Sequence, residues 1–470
     1  MAIVTTTRVT AVAEKALQIN LDKSRYGTFA EIGAGQEVVR WFYRVGGAAG
    51  TIAKSMSAYD MVVSDAIYGE CDRYVSKERL LSMLDYEQNL NLNRLRDQRG
   101  GKTAFFTFAD TIQALSYAGG NECHGWMGIR FQTHPRDEDS QIILHVRMLD
   151  QENQAQQEAV GILGVNLLYA ALFLHFDPEQ MVESLLDGLN TERIEIDLVE
   201  FSGIEFRTVD NRIMSLRLVQ LGLTPAAMFS ADGNVLQPAE VLRKKPVMVE
   251  RGRFRPVTLI NLDMVASAQN QFLHEISDTN AEDLVTLMEM TMSNLLNEGD
   301  VDLTDFLSRA DALAAVGQNV LISDYREYYR LAAYLSRYTS REISIVMGAR
   351  NVRELFDESY YTALDGGILE SFGRLFKNDI RVYVYPTLVD GKMVGIHDIE
   401  VSESLRHLYE YLIARSSIIQ IDDYQQSLMN INSPDVLASI QAGDDKWENC
   451  VDLSVAKMIK DRSLFGYHAT

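Results

Sequence analysis

Cysteine is scarce in this chain, with three in 470 residues, at positions 71, 123 and 450. An odd number at such spacing builds neither a disulfide framework nor a four-thiolate zinc site. Proline is thin as well, eight in all, and no Pro-, Gly- or Ser-rich tract divides the chain, so no flexible linker is expected. Basic residues are outnumbered, 44 Lys and Arg against 66 Asp and Glu, for a formal net charge of −22. That deficit excludes a general binder of nucleic acid or of anionic membranes, both of which require a basic footprint. The eight histidines are scattered without metal-ligand spacing, so no permanently bound metal or cofactor is expected. Residues 1–17 show neither the apolar core nor the small-residue cleavage site of a secretory leader, which makes the cytoplasm the expected compartment. What is present suits a globular protein with a large core: 47% apolar residues, 23% charged, and length for about three domains.

One run stands out. Ala159 to Phe176 is uncharged, with Glu158 and Asp177 at its flanks instead of the Lys or Arg that anchor a membrane span. It reads as a helix buried on all sides. Before it, Met127, Ile129 and Phe131 alternate with their neighbours, and after the turn HPRDED so do Ile142, Leu144, Val146 and Met148. Period-two patterning on both sides of a turn predicts an antiparallel hairpin. With helices expected at 36–45, 56–68 and 76–97, residues 1–190 are read as an α+β domain.

From residue 191 the grammar changes. Short apolar runs at 194–201, 226–230, 247–250, 320–323, 343–347, 381–385 and 418–421 alternate with longer helical stretches. This is the βα rhythm of an α/β fold with a doubly wound parallel sheet, Rossmann-like, over 191–470.

Motifs in the first half carry little chemistry. Glu31-Ile32-Gly33-Ala34-Gly35 is similar to the first glycine loop of methyltransferases or dinucleotide-binding folds, but the third glycine is missing and a helix-capping turn before Gln36 is the expected structure. Gly46 to Ser55 has its Lys four residues past the last Gly, which separates the amine from any phosphate cradle. Cys123-His124 sits between glycines, as in a packed loop, without a visible base to activate a thiol.

The informative stretch is Val247 to Met264: an apolar strand, Gly252, Arg251, Arg253 and Arg255, then a helix opened by Pro256 and Thr258. Proline has no N–H to lose in a first turn, and the free amides there, beside three arginines, suit a phosphate-bearing ligand. Two further places invite a ligand: Gly366-Gly367, where Glu370 in the first turn argues for a structural turn, and Asp324-Tyr325-Arg326 beyond a strand end, where Asp324 is an equally good helix cap.

These residues resemble the first motif of the nicotinate- and nicotinamide-mononucleotide adenylyltransferases, G-x-F-x-P-(I/V)-(T/H)-x-x-H-L. Gly252, Phe254, Pro256, Val257, Thr258 and Leu262 fall in register, and Asn261 stands at the family's catalytic histidine. Ile345 to Phe356 is similar to the later strand and G-A-D segment, with Gly348 in place and Arg350 at the nucleotide-contacting Asp. Ile431 to Leu437 is similar to I-S-S-T-x-(I/V)-R, with Ser433 in place and Leu437 at the phosphate-binding Arg; Val451 to Gly466 is similar to the closing helix. The whole chain is also similar to a group of bacterial proteins labelled as such adenylyltransferases or as TonB-dependent receptors, but the receptor reading lacks any run of amphipathic strands.

The resemblance implies a nucleotidyltransferase-like core at 246–470. It further implies adenylyl transfer from ATP, with Mg, to nicotinate mononucleotide, releasing pyrophosphate. The implied catalytic positions are Thr258 and Asn261, and the nucleotide or phosphate positions are Gly252, Arg253, Phe254, Arg255, Gly348, Arg350 and Ser433. The departures fall on chemistry and spare the apolar frame, which predicts a lapsed or altered active site in a nucleotide-binding protein. The alternative is a non-catalytic scaffold or self-assembling homo-oligomer that kept the fold alone.

Overall fold

In a computed structural model of the chain, residues 9–120, 122–276, 281–297 and 299–468 are described. The first eight residues of the stretch read for a leader therefore lie outside the described residues. The chain divides into two compact units, one ending at Thr224 and one beginning at Pro225.

The first unit is a six-stranded sheet with helices on it. Its strands are β1 (Arg25–Gly33), β2 (Ile52–Met56), β3 (Ala104–Gln113), β4 (His124–Phe131), β5 (Ser140–Met148) and β6 (Ile194–Gly203). They lie in the order β2-β1-β3-β4-β5-β6. β1 runs parallel to β2 and β3, while β3 to β6 pair antiparallel. The expected hairpin is β4–β5, and its alternating Met127, Ile129, Phe131, Ile142, Leu144 and Val146 enter one apolar core. The long uncharged run forms most of α5 (Asn153–Phe173), buried on every side. Asn166 shows how a polar residue is accommodated there. It donates to the Leu185 and Asp187 carbonyls at 2.8 Å and accepts from buried Lys15 at 2.8 Å. No helix among the described residues is long and apolar enough to cross a membrane.

Two expectations here are corrected. Residues 56–68 are not one helix: β2 ends at Met56, and α3 (Met61–Tyr68) starts after Asp60, whose carboxylate accepts from the Val63 amide. The boundary expected at 190 lies near 224, because the run at 194–201 is β6 and pairs antiparallel with β5 instead of opening a parallel sheet.

The second unit is the doubly wound sheet. Its strands are β7 (Ala226–Phe229), β8 (Val235–Leu236), β9 (Val247–Arg251), β10 (Val285–Thr291), β11 (Asn319–Ser323), β12 (Ile343–Gly348), β13 (Arg381–Tyr385) and β14 (Ile418–Gln420). Their spatial order is β14-β13-β12-β9-β10-β11-β7-β8. From β9 to β14 all neighbours are parallel, and β7 joins β11 antiparallel. Counted from β9, the parallel strands lie 3-2-1-4-5-6, the order of a Rossmann-like α/β fold. Two strands are missing from the sequence reading, the two-residue β8 and the central β10. The run at 226–230 was expected in the parallel set and lies antiparallel to it.

Candidate functional site

Strand order reverses between β9 and β12. In open α/β sheets the crevice at the carboxyl ends of such a pair is where ligands bind, because the two crossovers leave on opposite faces and part the chain there. Both glycine motifs fall at this place. Gly252 follows β9 directly and leads to α6 (Leu259–Glu275); Gly348 ends β12 and caps α9 (Ala349–Leu355).

The turn after β9 is shaped by packing. The Gly252 amide donates to the Glu289 carbonyl at 3.0 Å, so it continues the ladder and does not face a ligand. Phe254 has a φ of 48° and is buried, and its ring folds back over Gly252 so closely that a Cβ there would stand 2.7 Å from the ring. The glycine is thus required by the phenyl ring. Gly252→Ala is expected to lower stability by about 1–3 kcal/mol through overpacking, read as a fall in the urea midpoint; an unchanged midpoint refutes this account.

The three arginines do not converge. Arg251 Nε and Nη2 bind the Glu289 carboxylate at 2.8 and 3.0 Å, its Nη1 donates to the Arg326 carbonyl at 2.6 Å, and its guanidinium lies 4.2 Å from the Tyr328 ring centre. Arg255 is held by Asp305 at 2.6 Å. Arg253 is exposed and forms no ion pair among the described residues; its carbonyl accepts from Arg309.

Thr258 and Asn261 form a capping box at the start of α6. The Asn261 carboxamide oxygen accepts from the Thr258 amide at 3.1 Å and from its hydroxyl at 2.8 Å. Its Nδ2 donates at 2.8 Å to Oε1 of Glu250, a carboxyl sealed in beneath the helix. Burial pushes the Glu250 carboxyl up to about 8, with the Asn261 hydrogen bond pulling the other way. Its second oxygen has no hydrogen-bond partner among the described residues. Asn261 therefore joins helix to strand.

Arg350 is exposed near the start of α9, with Nη2 3.2 Å from the Leu388 carbonyl. Ser433 opens α11 (Ser433–Ala442), which packs chiefly on Asp445–Cys450 and Leu464–Gly466. The structure thus gathers Gly252, Arg253, Phe254, Arg255, Thr258 and Asn261 on one turn and sets Gly348 and Arg350 across the reversal, while Ser433 belongs to a separate helical layer. Beside the turn lies a cavity of about 460 Å³ lined by Arg251, Asn294, Arg326, Tyr328 and Tyr361 among others. Glu250, Glu289 and Tyr328 were missed by sequence reasoning. The only available signal was a glutamate inside each of two apolar runs.

The remaining motifs resolve structurally. Glu370 accepts from the Gly366 amide at 2.9 Å, which fills the start of α10 (Gly367–Leu375) with a carboxylate. Asp324 does not cap the next helix, α8 (Tyr328–Tyr338), whose N-cap is Glu327. In the first unit the glycine turn leads into α2 (Glu37–Val45) as expected, with Glu31 accepting from the Val38 amide at 3.0 Å. Burial, with the charge of Glu37 adding to it, lifts the Glu31 carboxyl to about 8. Burial and Glu31 together hold its neighbour Asp110 well above the usual carboxylate range. Lys54 is committed to Glu87. Cys123 lies in the loop before β4 and packs on the apolar core as expected, whereas His124 begins β4 and meets His145 at 3.0 Å, which in turn meets Asp197 at 2.5 Å.

No family model and no curated protein matches this sequence. Several solved structures overlap parts of the chain. The competence/damage-inducible protein CihA from Agrobacterium tumefaciens is 16% identical, over 34% of this chain and 94% of that one, with a TM-score of 0.26. A CinA superfamily protein from Enterobacter cloacae is 15% identical, over 36% and 95%, with a TM-score of 0.25. A protein provisionally described as a nicotinate-nucleotide adenylyltransferase, from Vibrio parahaemolyticus, is 14% identical, over 48% and 97%, with a TM-score of 0.24. Likeness at this level leaves function to the site itself.

Proposed function

We propose that the unit beginning at Pro225 binds a nucleotide at the reversal between β9 and β12, as the resemblance to nicotinate-nucleotide adenylyltransferases implies, and that adenylyl transfer there is weak or lost. The carrying observation is the 3-2-1-4-5-6 strand order with the Gly252 turn at its switch point; the nearby cavity runs along the carboxyl ends of β9 and β10 to the end of α9. Arg253 is the one arginine of the trio available to a phosphate, and Tyr328 and Tyr361 supply aromatic surface in the cavity. Magnesium would arrive as part of the ATP substrate.

Adenylyl transfer is the step the side chains at this turn serve poorly. Asn261 commits its oxygen to Thr258 and one of its two N–H groups to Glu250, which leaves one neutral N–H where a histidine would offer a charged donor to a developing phosphate charge. Loss of one such donor costs about 100–1000-fold in rate. Calorimetry with ATP and with nicotinate mononucleotide, paired with a pyrophosphate-release assay, tests the reading. Binding is expected, weakened about tenfold by Arg253→Ala through the loss of one charge-assisted contact, with turnover slow or absent. Absence of binding by both ligands sinks the proposal.

A further inference from the structure

A second cavity in the same unit, of about 830 Å³, lies along α8 and α10. Four cations line it, Arg330, Arg337, Arg374 and Lys377, and no carboxylate does. In a chain carrying 66 acids against 44 bases, that local excess is opposite in sign to the whole.

The arrangement follows from helix geometry. Arg330 and Arg337 stand two turns apart and so on one face of α8; Arg374 comes from α10, which packs against α8, and Lys377 follows just after it. Glu327 reaches Arg330 at 3.7 Å and Glu370 reaches Arg374 at 2.5 Å, both as exposed pairs along single helices, which are worth well under about 1 kcal/mol each. Lys377 forms no ion pair among the described residues. The aromatic surface is already taken, with Arg330 lying 5.9 Å over Tyr325 and Arg374 5.7 Å over Tyr329. Cation–π contact at these distances pre-orients the guanidinium groups and leaves those ring faces closed to a stacking base.

We propose that this cavity is a binding site for the oligophosphate chain of a small ligand. Its charge is recognised by Arg330, Arg337, Arg374 and Lys377 together, separately from the strand reversal. Several cations held around one space repel each other until a multiply charged anion enters, and guanidinium forks match phosphate oxygens in pairs. With the tyrosine faces covered, the phosphate chain is the recognised part, whether it is inorganic or carried by a nucleotide.

The test is calorimetry of the full chain with inorganic tripolyphosphate and then with ATP. Arg374→Ala combined with Lys377→Ala changes two exposed side chains, and circular dichroism checks the fold. Tripolyphosphate is expected to bind the unaltered chain and to bind the double variant at least tenfold more weakly. ATP is expected to compete with it. Three results overturn the proposal: no binding of tripolyphosphate, equal affinity in the double variant, or tripolyphosphate binding that excess ATP leaves untouched. Loss in Arg253→Ala but not in the double variant moves the anion to the strand reversal and also overturns it, while leaving the nucleotide reading of that site standing.

Discussion

Glu289→Ala is expected to remove about 3–5 kcal/mol of stability, the usual cost of breaking a buried ion pair from one side. Glu289 is wholly buried in β10, and the side chain of Arg251 is 11% exposed. The carboxylate takes two bonds from the guanidinium and a third, at 2.5 Å, from the Ser323 hydroxyl on β11. One glutamate therefore ties three adjacent strands at the edge where the cavity opens. Its removal leaves the buried Arg251 guanidinium with Tyr328, the Arg326 carbonyl and only the weaker charge of Glu327. Arg251→Met with Glu289→Leu is expected to recover most of the loss, because a pair of apolar residues carries no desolvation cost. Urea unfolding of the two variants checks both statements; a single-variant loss below about 1 kcal/mol would rule out a structural role for the pair.

Stability of the same unit is expected to fall as pH rises from 5 to 8, with Glu250 as a principal cause. Burial raises this carboxyl from 4.5 to about 8. Between those values the folded chain keeps a proton that the unfolded chain has released, so unfolding gains with each step up in pH. The stability is full below 4.5, declines above it, and the whole penalty is in place beyond about 8. At about 1.4 kcal/mol per unit the span is on the order of 5 kcal/mol. Glu250→Gln keeps the shape and carries no charge, so amide protection in β9 and β10, followed by hydrogen exchange corrected for intrinsic rate, should become nearly flat between pH 5 and 8. The variant should be the more protected of the two at pH 8. Parallel pH slopes in both proteins would exclude Glu250 as the cause.

The sheet was legible where neighbours in sequence decide structure. Period-two alternation located β4 and β5, and uninterrupted aliphatic runs located β9, β11 and β12, because strands buried on both faces admit little else. β10 escaped because Glu289 interrupts its run, and its counter-charge lies 38 positions away in Arg251. Direction escaped as well, since an apolar run carries no sign of whether its partner is parallel. That is why β6 and β7 were assigned to the parallel set. At the site, Gly252 announced the turn and Thr258 the helix start, whereas Pro256, expected in the first turn of the helix, lies before its Thr258 cap. The arginines misled for a physical reason: their partners, Glu289, Asp305 and the Arg326 carbonyl, stand 38, 50 and 75 positions away, so they read as free for a ligand.

The capping box at Asn261 bears on how this chain is able to change. Asn261 alone makes the bonds to the Thr258 amide, the Thr258 hydroxyl and Glu250. Histidine in its place forfeits that joint and sets an imidazole against an enclosed carboxyl, so it is tolerated only together with a compensating change at 250. For that exchange, positions 250 and 261 are therefore free to vary as a pair and not one at a time.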